Sequence, residues 1–341
     1  MSETITANIV TSLVTPHLPM QLRYLLDVVA VDPALGDETG DTASRAAIAQ
    51  ALNILLLADL VDRTPTAKAY VRDLEVHGDL LTFDHGALRT IELDGMGSLP
   101  AGRAAISRIL EPLGYAESAI YPLDRLGMTG YSYTHRHYPE TLPQFFVSEL
   151  HVSRFSPRFA EAIARVTEWS EDPLDEAAIK RLTQLEQDES LPLAEADALL
   201  PALVASFDRQ HGDPRLADYE TLLAESAEAA WIATEGNSFN HATNRVTDLK
   251  KIVAEQKLRG RPMKPDIEVS RTGRIHQTAY RADPVARRLI DRRGRAVTRT
   301  VPGSFFEFIQ RATITDESGK QRLDLGFDSG NAQGIFKMTA A

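Results

Sequence analysis

The sequence predicts an α+β protein in which helices precede and interrupt two strand-rich parts, and three observations predict it. Ala47, Ile48, Leu52, Leu55, Leu56 and Leu60 recur at helix spacing. Leu81, Phe83, His85, Ala87 and Arg89 alternate through short apolar runs, as side chains on one face of a strand do. An acidic, helix-rich stretch from about residue 156 to 233, broken by Pro173, Pro192, Pro201 and Pro214, separates one strand-rich segment from another.

In chain order, residues 1–79 read as an N-terminal helical region, helical from about Met20 to Val76 and punctuated by Thr64-Pro65-Thr66. Residues 80–155 read as a first strand-rich half. It holds the strand through His85, a helix over Ala101–Leu113 with Ile106, Ile109, Leu110 and Leu113 as its apolar residues, and a strand over Gln144–Val152. Residues 156–233 form the helical insertion, and 234–341 the second strand-rich half. There a helix over Val246–Leu258 is closed by Gly260 and Pro262, and a hairpin turns at Arg271-Thr-Gly-Arg274. Strands are expected over Phe305–Ala312 and Arg322–Phe327. His85-Gly-Ala-Leu-Arg89 and His241-Ala-Thr-Asn-Arg245 both read His-x-x-x-Arg, each with a phenylalanine two residues earlier. The echo points to equivalent strands of two duplicated modules.

Composition narrows the chemistry. A chain of 341 residues, 43% of them apolar, buries a sizeable core. The absence of cysteine excludes disulfides, thiolate metal sites and cysteine nucleophiles, so any metal must rest on His, Asp or Glu. A formal charge of −11 opposes nucleic-acid binding, and the basic runs Arg287-Arg288 and Arg292-Arg293-Gly294-Arg295 read as a solvated turn. No apolar run is long enough to cross a bilayer, and Met-Ser-Glu-Thr-Ile-Thr lacks the basic start of an export signal. The expectation is a cytoplasmic protein with neither membrane nor nucleic-acid partners.

Two histidines and one carboxylate carry the functional reading. His85, His241 and Glu307 each stand on an apolar segment, and two His plus one carboxylate is the ligand set of a facial-triad non-haem iron(II) oxygenase. Within Phe305-Phe-Glu-Phe-Ile309 both strand faces are apolar, so Glu307 is expected to be buried and in need of compensation. A salt bridge to Arg311 or Arg322 is the plain alternative to a metal, as a satisfied core position is for either histidine. Ring nitrogens turned away from a metal need acceptors. Asp84, Asn240 and Asn244 are near, although alternation turns Asp84 and Asn240 to the opposite face. Arg89, four residues beyond His85 on the same strand face, suits the carboxylate of a small acid that chelates the metal at its other end. An exposed strand arginine is the alternative. His135 and His137 form a second candidate metal pair within a run rich in tyrosine and arginine.

The segments Asp84-His-Gly-Ala-Leu-Arg89, Asn240-His-Ala-Thr-Asn-Arg245 and Phe305-Phe-Glu-Phe-Ile-Gln-Arg311 resemble the 2-oxoadipate dioxygenase/decarboxylase family, the hydroxyglutarate synthases, from about residue 20 to the end of the chain. The resemblance implies a vicinal oxygen chelate fold, with paired βαβββ modules forming a curved sheet around a metal. It implies Fe(II) bound by His85, His241 and Glu307, with Arg89 meeting a substrate carboxylate. The implied reaction converts 2-oxoadipate and O2 to 2-hydroxyglutarate and CO2, in lysine breakdown. Phe306–Arg311 followed by Gly326–Phe336 is similar to the closing region of the 4-hydroxyphenylpyruvate dioxygenases, which places Asn331 at the pocket as a substrate contact, followed here by Ala-Gln-Gly in place of phenylalanine. Tyr133 is a further expected substrate-binding residue. A glyoxalase-like lyase or isomerase with a redox-inert metal, and a non-catalytic small-acid binding protein, are the rival readings on the same scaffold.

Overall fold

The computed structural model describes residues 8–316, 318–328 and 330. Its centre is an eight-stranded mixed sheet built of β1 (Phe83–Glu92), β2 (Tyr115–Leu123), β3 (Met128–His135), β4 (Gln144–His151), β5 (His241–Arg245), β6 (Glu268–Val269), β7 (Ile275–Ala279) and β8 (Phe305–Arg311). The spatial order is β2-β3-β4-β1-β5-β8-β7-β6. The first four strands, with the helix Ala104–Leu110 after β1, make one βαβββ module, and the last four, with Leu249–Leu258 after β5, make the other. In each, the opening strand pairs parallel with the closing one, β1 with β4 and β5 with β8. The two opening strands meet antiparallel at the centre. The His-x-x-x-Arg echo therefore falls on equivalent strands, as the sequence predicts, and the sheet curves into the half-barrel of the glyoxalase type.

Strand alternation divides the apolar residues between two cores. Leu88, Phe145, Val147, Tyr133, Phe306 and Phe308 pack against the N-terminal helices Arg45–Arg63 and Pro65–His77. The first of these helices is buried almost all round, and its N-terminus is capped by Ser44, whose hydroxyl accepts the Ala47 N–H. On the opposite face Ile91, Met128 and Leu150 pack with helices of the insertion, including Trp231 from Ala227–Glu235. That helical layer fills one end of the pocket-bearing face and leaves the rest open.

Two local expectations change. Arg292–Arg295 is the exposed turn expected, but Arg287 and Arg288 stand on a strand of the hairpin Pro284–Ile290 with Ala296–Pro302, where Arg287 pairs with the buried Glu235 and Arg288 with Asp213. The strand expected over Arg322–Phe327 is confined to Gln321–Leu323. The carbonyls of Asp324 and Gly326 turn instead to the Arg311 guanidinium, which removes them from any ladder. No helix among the described residues is long and apolar enough to cross a membrane.

Candidate metal centre

His85 stands on β1, His241 opens β5 and Glu307 lies on β8, three strands adjacent in the sheet. Register brings them together: His85 is opposite Thr243 across β1 and β5, and Thr243 is level with Glu307 across β5 and β8. His241 Nε2 is 3.4 Å from His85 Nε2 and 3.2 Å from Glu307 Oε2, and His85 Nε2 is 3.4 Å from that same oxygen. Ligand atoms at right angles around an ion roughly 2.0–2.2 Å away stand about 3 Å apart, so the spacing suits one metal ion.

Both histidines are held at the nitrogen that faces away. His85 Nδ1 lies 2.8 Å from Asp84 Oδ1. Asn240 Nδ2 lies 2.8 Å from His241 Nδ1, and turning the amide over presents its carbonyl oxygen to an Nδ1–H, the tautomer that frees Nε2 for a metal. Simple alternation turns both partners away, and the structure shows why it fails here. The register between β1 and β5 shifts between Phe83 and His85, so Asp84 sits in a bulge and swings back to the ring of its neighbour. Asn240 precedes the strand and is free of its period. Asn244, the third candidate, is engaged elsewhere, donating to Tyr70 and accepting from the Thr82 N–H.

Glu307 is 1% exposed. The arginines that offered a plain salt bridge are committed to other carboxylates, Arg311 to Asp84 and Arg322 to Asp316. Its neighbours are the two histidines and Thr243, whose hydroxyl donates to Oε2 at 2.9 Å. The other oxygen, Oε1, has no hydrogen-bond partner among the described residues. Burial alone pushes this carboxyl up, but bonds to His241 and His85 outweigh it and hold the pKa down at about 2. Burial likewise opposes charge on His85, yet Asp84 and Glu307 raise its pKa, whereas at His241 burial wins and lowers it. Two imidazole nitrogens and a carboxylate, with Oε1 free of any hydrogen-bond partner among the described residues, are a donor set that fits a divalent cation.

The three ligands open into a cavity of about 410 Å³, part of it open to solvent, with Ala87, Phe146, Ser148, Gln277 and Phe327 on its walls. Phe327 comes from the irregular segment after the last strand and stands edge-on to His85, ring centres 4.9 Å apart. Arg89 follows His85 and Ala87 on the same side of β1, beside Ser148 on β4. It is fully buried, its guanidinium 4.8 Å from the centre of the Trp231 ring, and burial lowers its pKa to about 10.

The remaining site expectations divide. Tyr133 is not at the pocket: it pairs with Phe145 on the helix-packed face, and its hydroxyl meets Arg103 at 3.4 Å. A one-residue difference in strand parity decides this, since Ser132 has the register of the wall residue Phe146. Among the described residues His135 and His137 do not converge on a third ligand, and His135 Nδ1 is occupied by the backbone N–H groups of His137 and Tyr138. Asn331 lies outside the described residues. His211 is buried, with Nε2 3.0 Å from the Ala233 carbonyl. Sequence reasoning missed Thr243, Phe146, Gln277 and Phe327. For Thr243 a signal existed, because position 243 shares strand parity with His241.

A curved sheet of paired βαβββ modules around two histidines and a carboxylate that could hold a metal ion defines an enzyme of the glyoxalase type. The chain belongs to the 2-oxoadipate dioxygenase/decarboxylase family, whose sequence model matches residues 46–337. It is 51% identical to a glyoxalase-superfamily protein of Ralstonia eutropha JMP134 of known structure, with a TM-score of 0.88 over 94% of this chain and 98% of that one. It is 25% identical over 306 residues to the chloroplastic/amyloplastic 2-oxoadipate dioxygenase/decarboxylase of rice, covering 82% of this chain and 75% of the relative. The rice hydroxyglutarate synthase, solved in complex with 2-oxoadipate, shares the fold with a TM-score of 0.65 at 22% identity, over 87% of this chain and 93% of that one.

Proposed function

We propose that this protein is an Fe(II)-dependent dioxygenase that converts 2-oxoadipate and O2 to 2-hydroxyglutarate and CO2, a step of lysine breakdown. The observation that carries the proposal is the convergence of His85, His241 and Glu307, with a buried carboxylate oxygen left idle, in a chain of this family. Bound there, Fe(II) supplies a chelation point for the 2-oxo acid and the electrons for reaction with dioxygen.

The protein's own groups do the rest. His85, His241 and Glu307 hold one side of the ion and leave the side toward the cavity to substrate and O2. Asp84 and Asn240 fix the two imidazoles in the tautomer that presents Nε2. Thr243 keeps Glu307 turned inward. Phe146 and Phe327 close an apolar wall around the reacting carbons and keep bulk water from them. Arg89, beneath the floor formed by Ala87 and Ser148, takes the distal carboxylate with its planar fork and so selects a dicarboxylate.

The test is oxygen consumption by the Fe(II) protein reconstituted without air, before and after 2-oxoadipate. Uptake matched by CO2 and 2-hydroxyglutarate supports the proposal. No uptake with iron seated in the site overturns the substrate or the chemistry, and turnover under nitrogen assigns a redox-silent lyase instead.

A further inference from the structure

Arg311 joins two parts of the site that are far apart in sequence. On one side its Nε lies 2.9 Å from Asp84 Oδ2 and its Nη2 lies 2.8 Å from Asp84 Oδ1, and this carboxylate holds His85 Nδ1. On the other side Nη1 donates to the carbonyls of Asp324 and Gly326 at 2.9 and 2.7 Å. The guanidinium carbon also lies 5.0 Å from the centre of the Phe327 ring, the ring that stands edge-on to His85. The Arg311 and Asp84 side chains are almost fully buried, so these bonds are made away from competing water.

The segment 324–328 has further anchors: Asp324 lies 3.6 Å from the Arg274 guanidinium, Phe327 packs on Tyr121 and Phe146, and the Arg271 Nε meets Asp328 Oδ2 at 3.3 Å. The Asp324 N–H donates to the Ala312 carbonyl at 2.9 Å, the Phe327 N–H to the Tyr121 hydroxyl at 3.1 Å, and Asp328 accepts the Arg271 N–H at 3.0 Å. This segment supplies Phe327 and Asp328 to the cavity wall. Its docking and the orientation of Asp84 depend on the same planar fork. Undocking the segment frees the guanidinium, which releases Asp84 and with it the direction of the His85 ring.

We infer that Arg311 is a positioning residue that couples the cavity wall at 324–328 to metal binding at His85 through Asp84. The inference rests on the reading of this site as a metal centre. Coupling of this kind is reciprocal: a metal that needs His85 oriented favours the docked wall, and the docked wall favours the metal by the same factor. Lysine preserves the charge facing Asp84 but lacks the fork that reaches the carboxylate and two carbonyls together.

The experiment uses the full chain with Co(II) as probe, following its visible absorption for affinity and amide hydrogen exchange for the wall. In the parent, Co(II) slows exchange across 324–328 several-fold. In Arg311→Lys that slowing disappears and the Co(II) dissociation constant rises about tenfold, in the range expected for loss of a group that orients a metal ligand. Arg245, whose Nη1 is 3.6 Å from Asp84 Oδ2, still faces the carboxylate in this variant and supports its folding. Tyr121→Phe loosens the wall at Phe327 without touching the guanidinium, so through the coupling it lowers Co(II) affinity by a smaller factor than Arg311→Lys does. Unchanged metal-linked protection or affinity in Arg311→Lys overturns the inference, as does an equal loss in Tyr121→Phe or failure of the parent to bind Co(II). Oxygen uptake is read separately. A parent that couples metal to wall yet consumes no oxygen with 2-oxoadipate leaves the coupling standing and the proposed reaction fallen. A parent that turns over while Arg311→Lys changes nothing does the reverse.

Discussion

His85 and Thr243 are register partners across the antiparallel seam where the two modules meet, with Thr243 Oγ1 3.1 Å from His85 Nε2. The same hydroxyl gives its single proton to Glu307 at 2.9 Å, so this short side chain orients the carboxylate and stands beside the His85 ring. Thr243→Val keeps the shape and removes the donor. Co(II) affinity is expected to fall about 10- to 100-fold, as for other groups that orient metal ligands. A titration that returns the parental dissociation constant confines Thr243 to packing.

That seam also shows what was legible in the sequence. The period of two around His85, the apolar setting of Glu307 and the His-x-x-x-Arg echo lie in local pattern, and they locate the modules and the three ligands. The Asp84 bulge does not, because it is a register shift between β1 and β5, strands that lie more than a hundred residues apart. Tyr133 failed for a related reason: its facing depends on which residue of β3 meets Phe145, a pairing that composition does not encode. Phe327 reaches the cavity because Arg311 draws its segment off the strand path, a tertiary effect with no periodic signature.

Glu307 is the ligand whose loss separates metal binding from folding. In Glu307→Gln the buried charge is gone and the amide is a poor metal ligand. Without metal the variant is expected to lose up to about 3–5 kcal/mol, the cost of removing one partner of a buried pair. At a hundredfold excess of Co(II) over its dissociation constant the parent gains about 2.7 kcal/mol, and the variant gains almost none. Urea unfolding with and without Co(II) measures both. An equal gain in the variant places the ion elsewhere.

Gly86 separates His85 from Ala87, and the space beside it is already taken from the helix-packed side. A Cβ at this position would stand 2.3 Å from the Phe239 ring. Phe239 packs on Phe83, Phe145 and Phe207, so the ring has no easy retreat. Gly86→Ala is expected to cost about 1–3 kcal/mol by overpacking and to displace β1 beneath His85. Urea unfolding checks the first effect, and parental stability would show that Phe239 yields freely.

Arg89 separates substrate binding from metal binding. Under the proposed reaction it meets the distal carboxylate. Arg89→Lys keeps a cation but loses the two-pronged geometry. The KM for 2-oxoadipate is expected to rise at least about tenfold, equivalent to about 1.4 kcal/mol, with Co(II) affinity near the parental value. A lowered kcat with unchanged KM would remove Arg89 from carboxylate recognition.

His135 gives the fold a pH dependence of predictable sign. It is fully buried on the face away from the cavity, and burial, with the nearby charges of His137, Arg45 and Arg136, lowers its pKa from the ordinary 6.5 to about 4. Two backbone N–H groups point at its Nδ1, which must stay unprotonated to accept them. The unfolded chain therefore binds this proton between about pH 6.5 and 4 while the folded one does not, so stability falls as pH drops through that window and levels off below it. The linkage amounts to roughly 2 kcal/mol between pH 7 and 5. His135→Asn retains a side-chain acceptor without a titrating ring, and it is expected to flatten that part of the profile. Urea unfolding at pH 7, 6 and 5 decides the matter: parallel profiles in parent and variant would assign the pH dependence to other buried groups, beginning with His211, whose pKa burial also lowers to about 4.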